Sequence, residues 1–151
     1  MSTEKIRHVE LTRTGKGRYK ATNGRGGVVV VGSAGDPDFS PTELLLTAIA
    51  GCSAIDIDFI TGKRAEPVAF DVQADGVAVK DEGGNRLTGI RVTFDVVFPE
   101  GEAGDQARAM LPKALAMSRD RLCTVGRTVK LGEPIDYVDA REHAGPGDDE
   151  G

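Results

Sequence analysis

"SPTELLLTAIAGCSAIDIDFI", Ser40 to Ile60, is the most apolar stretch of the chain and carries one of its two cysteines. Its start is well marked. Ser40 suits an N-cap, Pro41 the first helical position, and Glu43 completes an S-x-x-E capping box, so a helix is predicted to begin here and to stop at Gly62. Apolar or small residues at 44–46, 48–52, 54, 55, 57, 59 and 60 cover nearly the whole circumference. That pattern belongs to a helix enclosed by protein rather than laid on a surface.

Outward from this helix the chain reads as strands on both sides. "IRHVELTRT", "GRYKAT" and "GGVVVV" alternate and are broken by glycine, which predicts three short strands between Ile6 and Val31. After Pro67, the runs "VAFDVQADGVAV" and "TGIRVTFDVVF", joined by "KDEGGNR", carry a hairpin signature. A second helix is expected from Asp105 to Leu122, with Met110, Leu111, Ala114, Leu115 and Leu122 on one stripe and Pro112 predicting a kink or a late start. "TVKLGEPIDYV" reads as a last strand. The order is β-β-β-α-β-β-α-β, an α+β pattern, in one domain over 1–139 with a polar, glycine-rich, disordered tail at 140–151. A helix apolar on all sides needs more cover than one small sheet supplies, so a homodimer is expected.

Composition narrows the partners. The 151 residues are 39% hydrophobic, enough for one globular core. Nineteen basic against 24 acidic side chains leave a formal charge of −5 with no Lys/Arg block, which argues against nucleic acid. The opening "MSTEKIRHVE" lacks the apolar core of a signal peptide, and Asp56 and Asp58 interrupt the apolar helix. The expectation is a soluble, cytoplasmic protein that does not enter a membrane.

In such a compartment two cysteines suggest redox or nucleophilic chemistry more than a structural bridge. Cys52 lies about twelve residues into its helix, beyond the first turn, so any activation must come from outside the helix. Cys123 sits in "SRDRLCTVGRT", where Arg119, Arg121 or Arg127 could bring a cation to a thiol. Either cysteine could equally pack as a small hydrophobe. Ser118 reads as an ordinary helix residue and His8 as an exposed one. With only His8 and His143 available, a zinc site or a Cys–His dyad is not expected.

"SPTELLLTAIAGCSAIDI", followed some seventy residues later by "LCTVGRTV", resembles the OsmC/Ohr family, the osmotically induced and organic-hydroperoxide-resistance proteins, over Arg18 to Val138. The resemblance implies an OsmC-like fold in an intertwined homodimer whose central helices lie back to back, with the thiol in a pocket at the seam. It also implies a thiol-dependent peroxidase for organic hydroperoxides, with neither metal nor organic cofactor. Cys52 would be the peroxidatic thiolate, Cys123 would resolve its sulfenic acid as an intramolecular disulfide, and an external dithiol or lipoyl group would reduce that disulfide. "TNGRGGVVVVG" resembles the hairpin that supplies the family's arginine, making Arg25 the candidate and Arg18 its alternative.

The pattern departs from the hydroperoxide-resistance branch at the acid that steadies this arginine. Thr42 follows the helix-opening proline where that branch has glutamate. Glu43, the remaining candidate acid, lies one residue later, on the opposite side of the helix from Cys52, and already has a role in the capping box. Asp56 shares the face of Cys52, where a carboxylate would disfavour a thiolate, pair with an arginine or cap a polar pocket. "GCSAID" resembles a less characterised branch. Two alternatives therefore stand beside the peroxidase: a non-catalytic dimeric binding protein with an apolar pocket at the subunit seam, and a thiol redox sensor.

Overall fold

The computed structural model describes residues 4–142. Three short strands, β1 (Glu10–Gly15), β2 (Arg18–Thr22) and β3 (Val28–Val31), precede the long helix α1 (Pro41–Thr61). A hairpin of β4 (Ala69–Asp81) and β5 (Gly84–Val97) follows. The helix α2 (Glu102–Met117) then passes through a π-helical turn, Ser118–Leu122, into α3 (Thr124–Leu131). The first strands form one antiparallel sheet in the order β1-β2-β3, and β4 and β5 pair separately. Residues 143–151, including His143 and most of the expected tail, lie outside the described residues.

The start of α1 follows its sequence signals. Ser40 Oγ accepts from the Glu43 N–H at 3.3 Å, and Glu43 Oε1 accepts from the Ser40 N–H at 3.0 Å, closing the capping box. The hairpin supplies one wall beneath this helix. Phe70 pairs with Val96, Val72 with Phe94 and Ala74 with Val92, so alternate side chains of both strands form one apolar face against α1. The hairpin turn is tighter than the seven residues between the alternating runs suggest. Only Glu82 and Gly83 separate the strands, and Asp81 accepts from the Gly83 N–H at 2.9 Å and from Arg86 Nε at 2.7 Å.

A second wall comes from α2, which packs against α1; Ala107 and Ala114 of α2 are fully buried, as are Ile57 and Thr61 of α1. Small residues there let the two helix backbones approach. Gly104 extends this close packing, because a Cβ at that position would stand 1.7 Å from the Pro99 carbonyl oxygen. Helix α2 begins at Glu102, three residues earlier than expected, and runs through Pro112 without a break. The proline is exposed, and of the helix carbonyls it deprives that of Arg108 of its intrahelical partner.

The predicted last strand is corrected. Residues 124–131 form α3 and residues 133–139 have no regular structure. The expected strand, Thr128–Val138, carries the β-branched residues Thr128, Val129, Ile135 and Val138, but for its first four residues the ends of α3 decide otherwise. Cys123 caps the helix by accepting from the Gly126 N–H, and Gly132, with φ of 65°, closes it in the left-handed conformation that glycine adopts freely.

Within one chain α1 is only partly covered. Ile49, Ile57 and Thr61 are buried, while Leu45, Ile55 and Phe59 are open to solvent. Val28, Val29 and Val30 of the first sheet are open as well.

Candidate active site

Cys52 sits in the fourth turn of α1, half-buried, and Cys123 is buried at the junction between the π-helical turn and α3. Both thiols are free. The fold brings them together because α1 packs against both the π-helical turn and α3, so the start of α3 faces the middle of α1. At that start the Gly126 N–H donates to Cys123 Sγ at 3.2 Å, and the Val125 backbone lies near enough to act on the Cys52 thiol. Helix N-termini favour negative charge, which gives this junction some of the chemistry a reactive sulfur needs.

The remaining influences on Cys52 oppose ionisation. Burial pushes its thiol above the ordinary range; the Val125 N–H pulls it down, while the adjacent Cys123 thiol and the Asp56 carboxylate push it up again. No guanidinium is among the groups acting on this thiol. The sequence expectation that Asp56 disfavours the thiolate is met by its position one helical turn beyond Cys52.

The other expected site residues are not gathered around Cys52 within one chain. Glu43 stays in the capping box, where the Ser40 N–H and hydroxyl hold its carboxyl below the usual range. Arg25 is exposed in the turn between β2 and β3, its backbone N–H donating to Asn23 Oδ1 at 2.9 Å. Arg18 is committed to two carboxylates, Asp36 at 3.4 Å and Asp38 at 2.5 Å. Arg119 is paired with Asp120 at 2.8 Å. Thr42 is exposed at the first turn of α1, and His8 is exposed near Glu10.

Ser118 is a correction to the sequence reading. It is 1% exposed, and its hydroxyl donates to Asp56 Oδ2 at 3.0 Å. A signal was present: residues 107, 111, 114 and 118 share one stripe of α2, and a polar residue on a buried stripe requires a partner. The Val125 N–H, a backbone group, left no such sign.

Beside Cys123 opens a cleft of about 580 Å³, whose walls include Ile49, Ile57, Phe94 and Leu115. Arg91 and Lys130 also line it. Of the two cysteines, Cys123 is the one that lines this cleft.

Residues 33–138 match the model of the OsmC-like protein family. The chain belongs to that family. An uncharacterised protein of Mycobacterium tuberculosis is 30% identical over 127 residues, which cover 83% of this OsmC-like chain and 90% of that protein. A hypothetical protein of Aquifex aeolicus has the same fold, with a TM-score of 0.69 at 22% identity over 85% of this chain and 89% of the other. An organic hydroperoxide resistance protein of Elizabethkingia anophelis is more distant, with a TM-score of 0.50 at 16% identity over 80% and 93% of the two chains. The likeness to both solved structures extends the fold expected from the Ser40–Ile60 helix to nearly the whole OsmC-like domain.

Proposed function

We propose that this chain is a thiol-dependent peroxidase that reduces organic hydroperoxides to alcohols. The observation that carries the reading is the juxtaposition of Cys52 and Cys123 at the start of α3, where the Gly126 N–H donates to Cys123 Sγ. Family membership supports it, as does the hydroperoxide-resistance function named for one structural relative. In the proposed reaction the Cys52 thiolate attacks the distal peroxide oxygen, the O–O bond breaks, the alcohol leaves and Cys52 becomes a sulfenic acid. Cys123 then attacks that sulfur, water leaves, and the disulfide forms. An external dithiol or lipoyl group returns both thiols.

The reaction needs a cation that one chain does not bring to Cys52. A second copy supplies it in this proposal, with Arg25 of the exposed β2–β3 turn as the candidate. The open apolar faces of α1 and of the first sheet support such a homodimer, working in the cytoplasm without metal or organic cofactor.

Turnover of cumene hydroperoxide with dithiothreitol or a lipoyl reductant tests the reading. Wild type is expected to consume peroxide and Cys52→Ser to be inactive; equal rates would discard the mechanism. The groups that keep Cys52 protonated favour a second reading, a dithiol redox sensor that oxidises without fast turnover. Stoichiometric oxidation with no catalytic cycling would select it.

A further inference from the structure

A side-chain hydrogen bond joins α1 to the π-helical turn, from Ser118 Oγ to Asp56 Oδ2 at 3.0 Å. Both ends of this bond are tied to a cysteine. Asp56 lies one helical turn beyond Cys52 on the same face. Ser118 accepts the Cys123 N–H through its backbone carbonyl at 2.9 Å, the bond that closes the π-helical turn Ser118–Leu122. Ser118 thus holds the Cys123 backbone with its carbonyl and the Cys52 helix with its hydroxyl.

Neither residue is the one that helix formation would select. Aspartate and serine both compete with the backbone inside helices, and a π turn widens the helix at a cost in packing. An apolar pair would close the α1–α2 seam at least as well, because a buried polar pair gains stability only when fully satisfied. What the polar pair adds is direction. An apolar contact permits the helices to slide, whereas a hydroxyl–carboxylate bond fixes one atom against another and so fixes the position of the Cys123 backbone along α1.

We propose that Asp56 and Ser118 are positioning residues for the thiol pair, holding Cys123 where its sulfur meets Cys52. The inference rests on the proposed peroxidase chemistry only in using the same two sulfurs. The residues act through backbone placement and touch no substrate.

The test is the equilibrium of the full-length protein with glutathione. Cys52 and Cys123 together lose two protons and two electrons to one glutathione disulfide, giving the protein disulfide and two glutathione thiols. The ratio of intramolecular to mixed disulfide, read by intact mass after acid quench, reports how well the two sulfurs are placed. Three variants separate position from charge. Ser118→Ala removes the bond and keeps the carboxylate, Asp56→Ala removes both, and Asp56→Asn removes the charge but keeps an acceptor for the hydroxyl. Ser118→Ala and Asp56→Ala are each expected to lower the intramolecular ratio about ten-fold, the scale of a hydrogen bond to a charged group, while Asp56→Asn stays within about three-fold of wild type.

A Ser118→Ala protein with the wild-type disulfide ratio, or an Asp56→Asn protein that loses as much as Asp56→Ala, would overturn the assignment. So would a wild-type chain that yields only mixed disulfides. A protein inert to peroxides that still shows this variant pattern would overturn the proposed function and leave the positioning role standing.

Discussion

At Cys52 the sequence and the structure agree on a conflict. Burial, the neighbouring Cys123 and Asp56 favour the neutral thiol, and only the Val125 N–H favours the anion. Because alkylation needs the thiolate, its rate must rise with pH, and each influence predicts the sign of a shift in the midpoint. Replacing Asp56 with Asn removes a like charge and is expected to move the midpoint of iodoacetamide alkylation to lower pH. Replacing Arg25 with Ala should move it to higher pH if the partner's guanidinium steadies the thiolate, whereas Arg18→Ala should leave it in place, since Arg18 is occupied by Asp36 and Asp38. A midpoint indifferent to Arg25 and at or above the ordinary thiol value of ~8.5 would favour the sensor over the peroxidase.

At the scale of elements, the ends of helices were readable where side chains write them. Ser40 and Glu43 form the capping box that their spacing announces, so Glu43→Ala is expected to lower the denaturant midpoint of unfolding. Glu43→Gln, which retains an acceptor, should cost less and leave peroxide turnover unaltered; a large loss of turnover would return Glu43 to the catalytic set. Gly104 is a stricter case, because its neighbour is backbone. Gly104→Ala should destabilise by about 1–3 kcal/mol, since neither Pro99 nor α2 can yield without moving the seam. Alternating apolar residues revealed the hairpin, and glycine the breaks between the first strands. The expected strand from Thr128 to Val138 was misread because its β-branched residues state a preference that Cys123 and Gly132, at the ends of α3, override over residues 128–131. Ser118 was misread for a related reason. Its function depends on Asp56, 62 residues away, and only the polar interruption of an apolar stripe hinted at it.

The whole molecule is open in a way that one chain does not explain. Phe59 is 72% exposed and Ile55 57%, on the helix whose sequence most requires cover. Sedimentation velocity is therefore expected to find a dimer, and Phe59→Glu to weaken it; a wild-type monomer at micromolar concentration would contradict this assembly. Chemistry and assembly meet in the same helix, since α1 carries both Cys52 and the open apolar face. The most direct test of the central claim is the intact mass of the wild-type protein after one equivalent of cumene hydroperoxide, without reductant. The account predicts the loss of two hydrogens, with the new bond mapped between Cys52 and Cys123; unchanged thiols, or oxygen added to Cys52 with no disulfide, would contradict it.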